Sequence, residues 1–185
     1  MSDIILKKPS SFNHWRKIHK LYRSAFPIYE RKPFSMIKKI EKKGVTDVWC
    51  FEKNGHFIGL AATINSEDII LIDYLAIDKK HRRRGYGSEI LRLLREKYSG
   101  KGVFVEIEST FEDCENKEER KRRKTFYLRN GMEEMNVLAE LFGVNMELLG
   151  YDCKMTYEEY HAFYRDNYSP WAAEHIKEAD CSKSQ

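Results

Sequence analysis

The stretch AIDKKHRRRGYGSEILRLL (residues 76–94) joins an apolar segment to a leucine-rich one through a basic turn that contains Gly85 and Gly87. The segment before it, IILIDYLAI (69–77), is almost uninterruptedly apolar, which is typical of a central strand buried on both faces. After the turn, leucine and isoleucine recur at helical spacing as far as Tyr98. The stretch therefore predicts a buried strand, a glycine-containing turn and an amphipathic helix in direct succession.

The turn has the composition of a phosphate-binding loop. The first amides of a helix have no intrahelical acceptor and lie at the positive end of the helix dipole, so they bind phosphate where the backbone can be approached closely. Gly85 and Gly87 have no Cβ to block that approach, and Ser88 adds an amide and a hydroxyl. The spacing differs from a Walker loop and from the three-glycine dinucleotide fingerprint, because position 90 is isoleucine. A solvated basic turn is the alternative interpretation.

The remaining sequence predicts strands and helices on both sides of this turn. A first strand (3–8) is followed by two helices and by a three-stranded meander with the hairpin signal Asn54-Gly55. The helix after the turn is followed by a strand (102–108), a basic helix and two more strands, and a last helix begins near Thr156. A meander that passes into a strand–helix–strand crossover indicates an α/β (α+β) fold with a mixed sheet of about seven strands flanked by helices.

Length and composition fit one ordinary domain: the chain has 185 residues, of which 42% are apolar, enough to bury a core. Residues 1–10 lack the apolar segment of a signal peptide, and no apolar run reaches the ~20 residues of a membrane-spanning helix. The four cysteines are scattered without metal-ligand spacing, and the histidines do not cluster with them. These features predict a reduced, cytoplasmic protein with no metal and no membrane partner. Two disulfides are the alternative use of the cysteines.

A basic run, RKRRK (120–124), raises the question of a nucleic-acid partner, because consecutive basic side chains can neutralise phosphates. The segment directly before it, FEDCENKEE (111–119), is acidic, and the net charge of the chain is only +4. No recognised nucleic-acid-binding module surrounds the run. The sequence therefore argues against a nucleic-acid partner.

Two motifs carry a family resemblance. LAIDKKHRRRGYGSEIL (75–91) resembles the acetyl-CoA motif of the GCN5-related N-acetyltransferases (GNAT), whose core pattern is Arg/Gln-x-x-Gly-x-Gly/Ala, and FYLRNGM (126–132) resembles their second motif, an aromatic-tyrosine pair that closes at glycine. The order of predicted elements up to about Leu149 is also similar to that family. The resemblance implies a mostly antiparallel GNAT sheet in a domain of residues 1–150, with residues 151–185 as a C-terminal helical extension packed on the same domain.

The resemblance also implies acetyl-CoA as the acyl-donor cosubstrate. In the family, the pantetheine arm lies along the backbone at the end of the central strand, and the diphosphate lies on the amides of the glycine turn. The aligned cofactor-binding residues of this chain are Leu75, Ala76, Ile77, Arg82, Arg83, Arg84, Gly85, Tyr86, Gly87 and Ser88. The family's usual asparagine and alanine before the second motif are replaced by Arg120 and Arg123, which either reach the cofactor phosphates or form a solvated helix face.

By the same resemblance, Tyr127 corresponds to the tyrosine near the thioester sulfur, where a phenol can donate a proton to the departing thiolate. A core aromatic is the alternative role for Tyr127. In VFVEIES (103–109), Glu106 is the first candidate for the base that accepts the amine proton. Glu108, Asp73 and Glu30 are further candidates, and these carboxylates could instead bind a cationic substrate.

The predicted function is direct acetyl transfer to a primary amine of a cationic small molecule or a protein. A non-catalytic acyl-CoA-binding sensor or scaffold is the alternative. The C-terminal helix repeats an aromatic residue at steps of three and four, and this stripe is expected to pack onto the domain, with a homodimer contact or a lid as alternatives. Its members are Tyr157, Tyr160, Tyr164 and Tyr168.

Overall fold

A computed structural model describes residues 3–179 of the chain. Its strands are β1 (Ile4–Lys7), β2 (Thr46–Lys53), β3 (His56–Asn65), β4 (Ile69–Ile77), β5 (Gly102–Glu108), β6 (Glu133–Leu141), β7 (Val144–Tyr151) and β8 (Ile176–Glu178). Its α-helices are α1 (Phe12–Ala25), α2 (Phe34–Lys42), α3 (Tyr86–Lys97), α4 (Lys117–Arg129), α5 (Tyr157–Asn167) and α6 (Pro170–Ala173), and Ile28–Glu30 and Lys79–His81 form single 3-10 turns. The predicted α/β class is confirmed.

Within the described residues the strands form an eight-stranded mixed sheet in the order β1-β2-β3-β4-β5-β7-β6-β8. β4 pairs with β5 in parallel, from Ile69↔Gly102 to Leu71↔Phe104. The pairs β1–β2, β2–β3, β5–β7, β6–β7 and β6–β8 are antiparallel. The sheet is therefore mostly antiparallel, as expected, with one parallel pair at the start of β4.

The residues group into two compact units, which are described separately: residues 3–65 with 72–99, and residues 66–71 with 100–179. In the first unit the Asn54-Gly55 hairpin forms as predicted, with positive φ at both residues (50° and 74°). β3 approaches the end of β4 closely, because a Cβ on Gly59 would lie 2.7 Å from the Ala76 carbonyl oxygen. The core of this unit contains side chains from α1, α2 and β2–β4: Ile18, Leu21, Tyr22, Ile37, Val48, Cys50, Leu60, Ala62, Tyr74 and Ala76.

The C-terminal end of α3 is fixed in the first unit by the side chain of Tyr98. Its buried hydroxyl accepts a hydrogen bond from Trp49 Nε1 (2.9 Å), donates one to Asp47 Oδ2 (2.9 Å) and shares one with Thr63 Oγ1 (2.7 Å). Burial raises the pKa of this phenol, so it stays protonated and can donate at neutral pH. Because a helix is a stiff element, anchoring this end also helps to fix the position of the first turn of α3.

In the second unit, β5 forms the centre of the core and α5 packs against it. The Phe104 ring contacts the rings of Tyr160 (6.4 Å between centroids) and Phe163 (5.1 Å), both nearly perpendicular to it. A capping box starts α5: Thr156 Oγ1 accepts from the Glu159 amide, and Glu159 Oε2 accepts from the Thr156 amide. The aromatic stripe of α5 therefore packs onto its own unit through Tyr160 and Tyr164, with Phe163 buried beside them.

Two elements near the C-terminus differ from the prediction. The count of about seven strands was one too low, because β8 pairs with β6 from Ala139↔Glu178 to Leu141↔Ile176, and the four-residue α6 was missed. An isolated three-residue strand is too short to show an alternating pattern in sequence. Residues 151–179 lie in the same unit as residues 100–150, and the predicted domain boundary at residue 150 stays a prediction.

No helix between residues 3 and 179 has the length and apolar content that crossing a membrane requires. Within the same range, Cys50, Cys114 and Cys153 are free thiols, and Cys181 lies outside the described residues. No cluster of three or more histidine, cysteine or carboxylate side chains in this range could hold a metal ion.

Removing the α5 cap should destabilise the second unit. Thr156→Ala removes the hydroxyl that accepts from the Glu159 amide, so the free energy of unfolding should fall by about 1 kcal/mol. Thr156→Ser keeps an acceptor at the same position and is the matched control. Urea unfolding followed by circular dichroism measures both, and a Thr156→Ala midpoint equal to that of the wild type would show that the cap contributes nothing.

Candidate active site

The first turn of α3 begins at a glycine in a left-handed conformation. Gly85 is the N-cap residue, with φ +77° and no side-chain hydrogen bond to the helix amides, whereas Ser11 and Thr156 cap α1 and α5 with their hydroxyls. A Cβ on Gly85 would meet no atom within 4 Å. The amides of Tyr86, Gly87 and Ser88 precede the first intrahelical bond, from Glu89 N to Gly85 O (3.3 Å). The turn therefore presents amides at an open surface.

The segment before this turn is held by bonds to the strands. The Asp78 amide donates to the Ile58 carbonyl (2.9 Å), and the Asp78 carboxylate accepts from the Lys80 amide (3.0 Å). Arg82 is exposed, yet its Nε donates to the Ile77 carbonyl at the end of β4 (3.0 Å). This bond gives Arg82 a role in shaping the turn that the sequence alone did not indicate.

The turn fits the diphosphate of coenzyme A. An anion needs several amides, a positive local field and room for close approach, and the first turn of α3 has all three. Arg83 and Arg84 are exposed beside it and add positive charge. Among the strand residues predicted to contact the pantetheine arm, Ala76 is buried and Leu75 and Ile77 are half-buried, so any contact would involve mainly their backbone.

Tyr127 lies on α4 in the second unit, almost completely buried. Burial raises the pKa of its phenol to about 12, the charge of Arg123 acts in the opposite direction, and Tyr151 raises it further. Its ring packs against Phe126 (5.1 Å between centroids), and no side chain in the described part of the chain forms a hydrogen bond with its hydroxyl. Tyr127 is therefore a protonated phenol at neutral pH and can act as a hydrogen-bond donor or an acid.

Glu106 is half-buried on β5 and accepts hydrogen bonds from two tyrosines of α5. The Tyr160 hydroxyl donates to Oε1 (2.6 Å), and the Tyr164 hydroxyl donates to Oε1 (2.7 Å) and Oε2 (3.0 Å). Both tyrosines belong to the aromatic stripe predicted from the sequence, which did not indicate a contact with Glu106. Their spacing of four residues on one helix face is the signal that they could reach one acceptor together.

Glu108 has a different environment from Glu106, although the two alternate on the same strand. Its buried carboxylate contacts two guanidinium groups of α4: Arg120 Nη2 to Oε1 (3.1 Å) and Arg123 Nη1 to Oε2 (2.8 Å). Arg120 also donates to Glu112 Oε2 (2.8 Å) and to the Ser109 carbonyl (3.0 Å). Arg120 and Arg123 thus pair with carboxylates of their own unit, which favours paired charges on the helix over a contact with the cofactor phosphates.

Asp73 also contacts a cation of the chain. Lys32 Nζ lies 2.6 and 2.8 Å from its two carboxylate oxygens. The loop that carries Lys32 is tied down further, because the Tyr74 hydroxyl donates to the Glu30 carbonyl (2.8 Å) and the Tyr22 hydroxyl donates to the Lys32 carbonyl (3.1 Å). The roles of Asp73, Glu108 and Glu30 in binding an acceptor stay predictions, and for Asp73 and Glu108 an internal cation already occupies the carboxylate.

A groove of about 920 Å³ in the second unit was not predicted from the sequence. It lies along the irregular part of β6, where the register with β7 shifts between Glu134 and Leu138 and Asn136 has φ +56°. Among the described residues that line it, no lysine or arginine occurs, and the carboxylates are Glu134, Glu147, Glu158 and Glu178. Lys124 neutralises part of this charge through Glu134 (2.8 Å) and Glu147 (2.5 Å).

Comparison with known proteins decides the family. Residues 45–134, which contain both motifs, match the family described as "Acetyltransferase (GNAT) domain". These residues form a GNAT domain. The resemblance carried by the glycine turn and by the tyrosine motif is thereby confirmed, whereas no curated protein matches the chain.

Solved structures confirm the GNAT fold. A protein from Bacteroides thetaiotaomicron assigned to the GNAT family has a TM-score of 0.76 at 19% identity, over 89% of this chain and 97% of its own. Spermidine N-acetyltransferase from Vibrio cholerae, in complex with CoA and spermine, has a TM-score of 0.63 at 14% identity, over 80% and 95%. An aminoglycoside 6'-N-acetyltransferase complexed with coenzyme A has a TM-score of 0.65 at 11% identity, over 80% and 96%.

Some of the candidate residues lie inside the matched range and others lie outside it. The glycine turn, Asp73, Glu106, Glu108 and Tyr127 lie inside the matched GNAT domain. Glu30 precedes it, and the α5 tyrosines that contact Glu106 follow it. The part of the carboxylate environment that the family motifs could not predict is therefore contributed by the C-terminal segment of this chain.

Proposed function

We propose that the chain is an acetyl-CoA-dependent N-acetyltransferase that transfers an acetyl group directly to a primary amine of a cationic acceptor. The observation that carries the proposal is the uncapped, glycine-initiated first turn of α3 inside the matched GNAT domain. Acetyl-CoA supplies the activated thioester in this reaction. The protein must supply a binding site for the diphosphate, a proton donor for the departing thiolate and an acceptor for the amine proton.

The cofactor site is assigned to the first unit. The amides of residues 83–88 hold the diphosphate, Arg82 stabilises the turn through the Ile77 carbonyl, and the backbone of residues 75–77 contacts the pantetheine arm. The open space at Gly85 supports this assignment, since it leaves the uncapped helix amides accessible to an anion.

Tyr127 is proposed as the proton donor to the thiolate. Its raised pKa of about 12 keeps the phenol protonated throughout the neutral range, which supports the role of an acid. Glu106 is proposed as the base that accepts the amine proton, directly or through water. Tyr160 and Tyr164 donate to Glu106 as neutral phenols, which favours the ionised carboxylate, and Glu108 and Asp73 contact cations of the chain.

Direct transfer is supported by the state of two thiols, Cys50 and Cys153, because an acyl-enzyme route would need a nucleophile. Burial raises the pKa of Cys50 to about 11, with a further contribution from the charge of Glu52. Burial and the charge of Asp152 raise the pKa of Cys153 to about 11 as well. Both thiols are therefore protonated at neutral pH and are poor nucleophiles.

A cationic acceptor is supported by the carboxylates along the groove of the second unit. Glu134, Glu147, Glu158 and Glu178 all line this groove. Lys124 forms ion pairs with Glu134 and Glu147. A negative potential favours polyamines, amino sugars or the amines of a basic peptide over neutral amines. The spermidine and aminoglycoside acetyltransferases of similar fold act on acceptors of this kind, and we extend that class to this chain as a proposal.

Turnover of acetyl-CoA with a panel of amines tests the function. Release of the coenzyme A thiol is measured with polyamines, aminoglycosides, basic peptides with a free N-terminus, and neutral primary amines as the matched comparison. We expect thiol release with at least one cationic amine and much less with neutral amines of similar size. Tight coenzyme A binding without turnover of any amine would instead support the non-catalytic acyl-CoA-binding module.

Gly85→Glu should abolish or strongly weaken coenzyme A binding. The carboxylate would occupy the open space at the amides and repel the diphosphate, so the Kd should rise by more than about tenfold, equivalent to about 1.4 kcal/mol. Gly100→Glu is the matched control, because Gly100 also has positive φ (+85°) and open space at its Cβ, but lies beyond the other end of α3. Isothermal titration calorimetry measures both, and equal affinities would argue against the assigned diphosphate site.

Tyr127→Phe should lower kcat by roughly 10²-fold, because general acid catalysis is lost. The KM for acetyl-CoA should stay close to the wild-type value, since the aromatic ring and its packing against Phe126 are kept. Steady-state kinetics with the best acceptor from the panel measures both parameters. An unchanged kcat would assign Tyr127 to the core alone, and a parallel loss of cofactor affinity would assign it to binding.

A further inference from the structure

Helix α5 lies beyond the matched GNAT domain, yet it contributes two side chains to the carboxylate proposed as the base. Tyr160 and Tyr164 follow Glu106 by 54 and 58 residues and belong to the same unit. Their hydroxyls make three contacts of 2.6 to 3.0 Å with the carboxylate, because the single proton of the Tyr164 hydroxyl is shared between Oε1 and Oε2. Short bonds of this kind between a hydroxyl and a carboxylate oxygen are charge-assisted and stronger than bonds between neutral groups.

The two phenols are held in place independently of Glu106. Tyr160 and Tyr164 are 0% and 2% exposed, so neither hydroxyl can move out to solvent without unpacking the helix. The Tyr160 ring contacts Phe104 and the Tyr164 ring (5.3 Å between centroids), and the capping box fixes the first turn of α5. The donors are therefore in position before Glu106 takes part in any proton transfer.

The charged groups of the second unit near Glu106 have partners of their own. Glu108, the next side chain on the same side of β5, contacts Arg120 and Arg123. On β7 the residue opposite Glu106 is the apolar Leu148, and its neighbour Glu147 contacts Lys124. From α5, the groups that face Glu106 are the two phenols. The two phenols of α5 are thus neutral donors to Glu106.

We propose that Tyr160 and Tyr164 are positioning residues that orient the Glu106 carboxylate and stabilise its ionised form for proton acceptance. The proposal rests on the proposed function, in which Glu106 is the base. Hydrogen bonds to the charged form of an acid favour that form, so the two phenols keep Glu106 able to accept a proton at lower pH. The two bonds to Oε1 also restrict rotation of the carboxylate about its terminal bond.

A purely structural role makes a different prediction. Buried tyrosine hydroxyls require acceptors, and Glu106 could serve only to satisfy them. In that case, replacement of either tyrosine by phenylalanine would change the unfolding free energy and leave the catalytic pH dependence as it is. The two roles are therefore separated by the acidic limb of the pH–rate profile.

The experiment compares Tyr160→Phe, Tyr164→Phe and Glu106→Gln with the wild type, using kcat and kcat/KM as functions of pH for the best acceptor. Each tyrosine variant should move the acidic limb upward by about one pH unit, because one charge-assisted hydrogen bond is lost. The KM for acetyl-CoA should not change, and Glu106→Gln should remove the limb. Tyr157→Phe is the matched control on the same helix, because the Tyr157 hydroxyl donates to the Ile176 carbonyl instead.

A second readout needs neither acetyl-CoA nor turnover. The side-chain carboxyl carbon of Glu106 is followed by NMR in protein labelled with ¹³C-glutamate, and its signal is assigned by its disappearance in Glu106→Gln. Its titration midpoint should rise by about one pH unit in each tyrosine variant and stay at the wild-type value in Tyr157→Phe. Single replacements keep one phenol in place, and thermal unfolding monitors whether each variant is folded.

The outcomes distinguish the two proposals. If the wild type turns over no amine, the proposed function fails and the role of the tyrosines in proton acceptance fails with it. If the wild type is active but Glu106→Gln keeps the acidic limb, the base lies elsewhere and the positioning role is overturned. If Glu106→Gln removes the limb while the tyrosine variants leave both the limb and the NMR midpoint unchanged, the proposed function stands and the positioning role alone is wrong.

Discussion

The amides of the first turn of α3, together with the left-handed glycine that exposes them, are the constraint on which the cofactor assignment depends. Gly85 ends the basic turn with φ +77° and offers no capping side chain, so the positive end of the helix dipole faces open space. Two features of the first unit hold that turn in place: the Arg82 bond to the Ile77 carbonyl and the Tyr98 hydroxyl network at the opposite end of α3. The geometry favours an anion because the chain leaves these donors without a cap.

Three acidic residues that look alike in sequence have different electrostatic environments. Asp73 contacts Lys32, and Glu108 contacts Arg120 and Arg123, so each of these carboxylates already pairs with a cation of the chain. Glu106 receives hydrogen bonds from two neutral phenols, which favour its ionised form. In the proposed mechanism this carboxylate attracts a cationic amine and then accepts its proton. This difference, rather than position on the strand alone, is what favours Glu106.

Much of the fold could be predicted from local patterns. The apolar run gave β4 its observed bounds, Ile69–Ile77, and Asn54-Gly55 gave the hairpin, because strand periodicity and turn chemistry are local properties. The short β8 could not be predicted, since three residues carry no period and its pairing with β6 is a tertiary contact. The partners of Glu106 and Glu108 were also missed. Alternation predicts a shared face, but it does not show which helix supplies the neighbouring side chains.

Helix α5 lies beyond the matched GNAT domain, so the family motifs do not describe the side chains that it contributes. Family motifs describe the cofactor turn and Tyr127, and both precede residue 134. The side chains that donate to Glu106 come later, from a helix whose capping box and aromatic packing fix its position in the second unit. If the proposed role of the two tyrosines holds, a chain with the same motifs but a different C-terminal helix accepts the amine proton over a different pH range. The proposed mechanism therefore depends on the C-terminal segment as well as on the motifs.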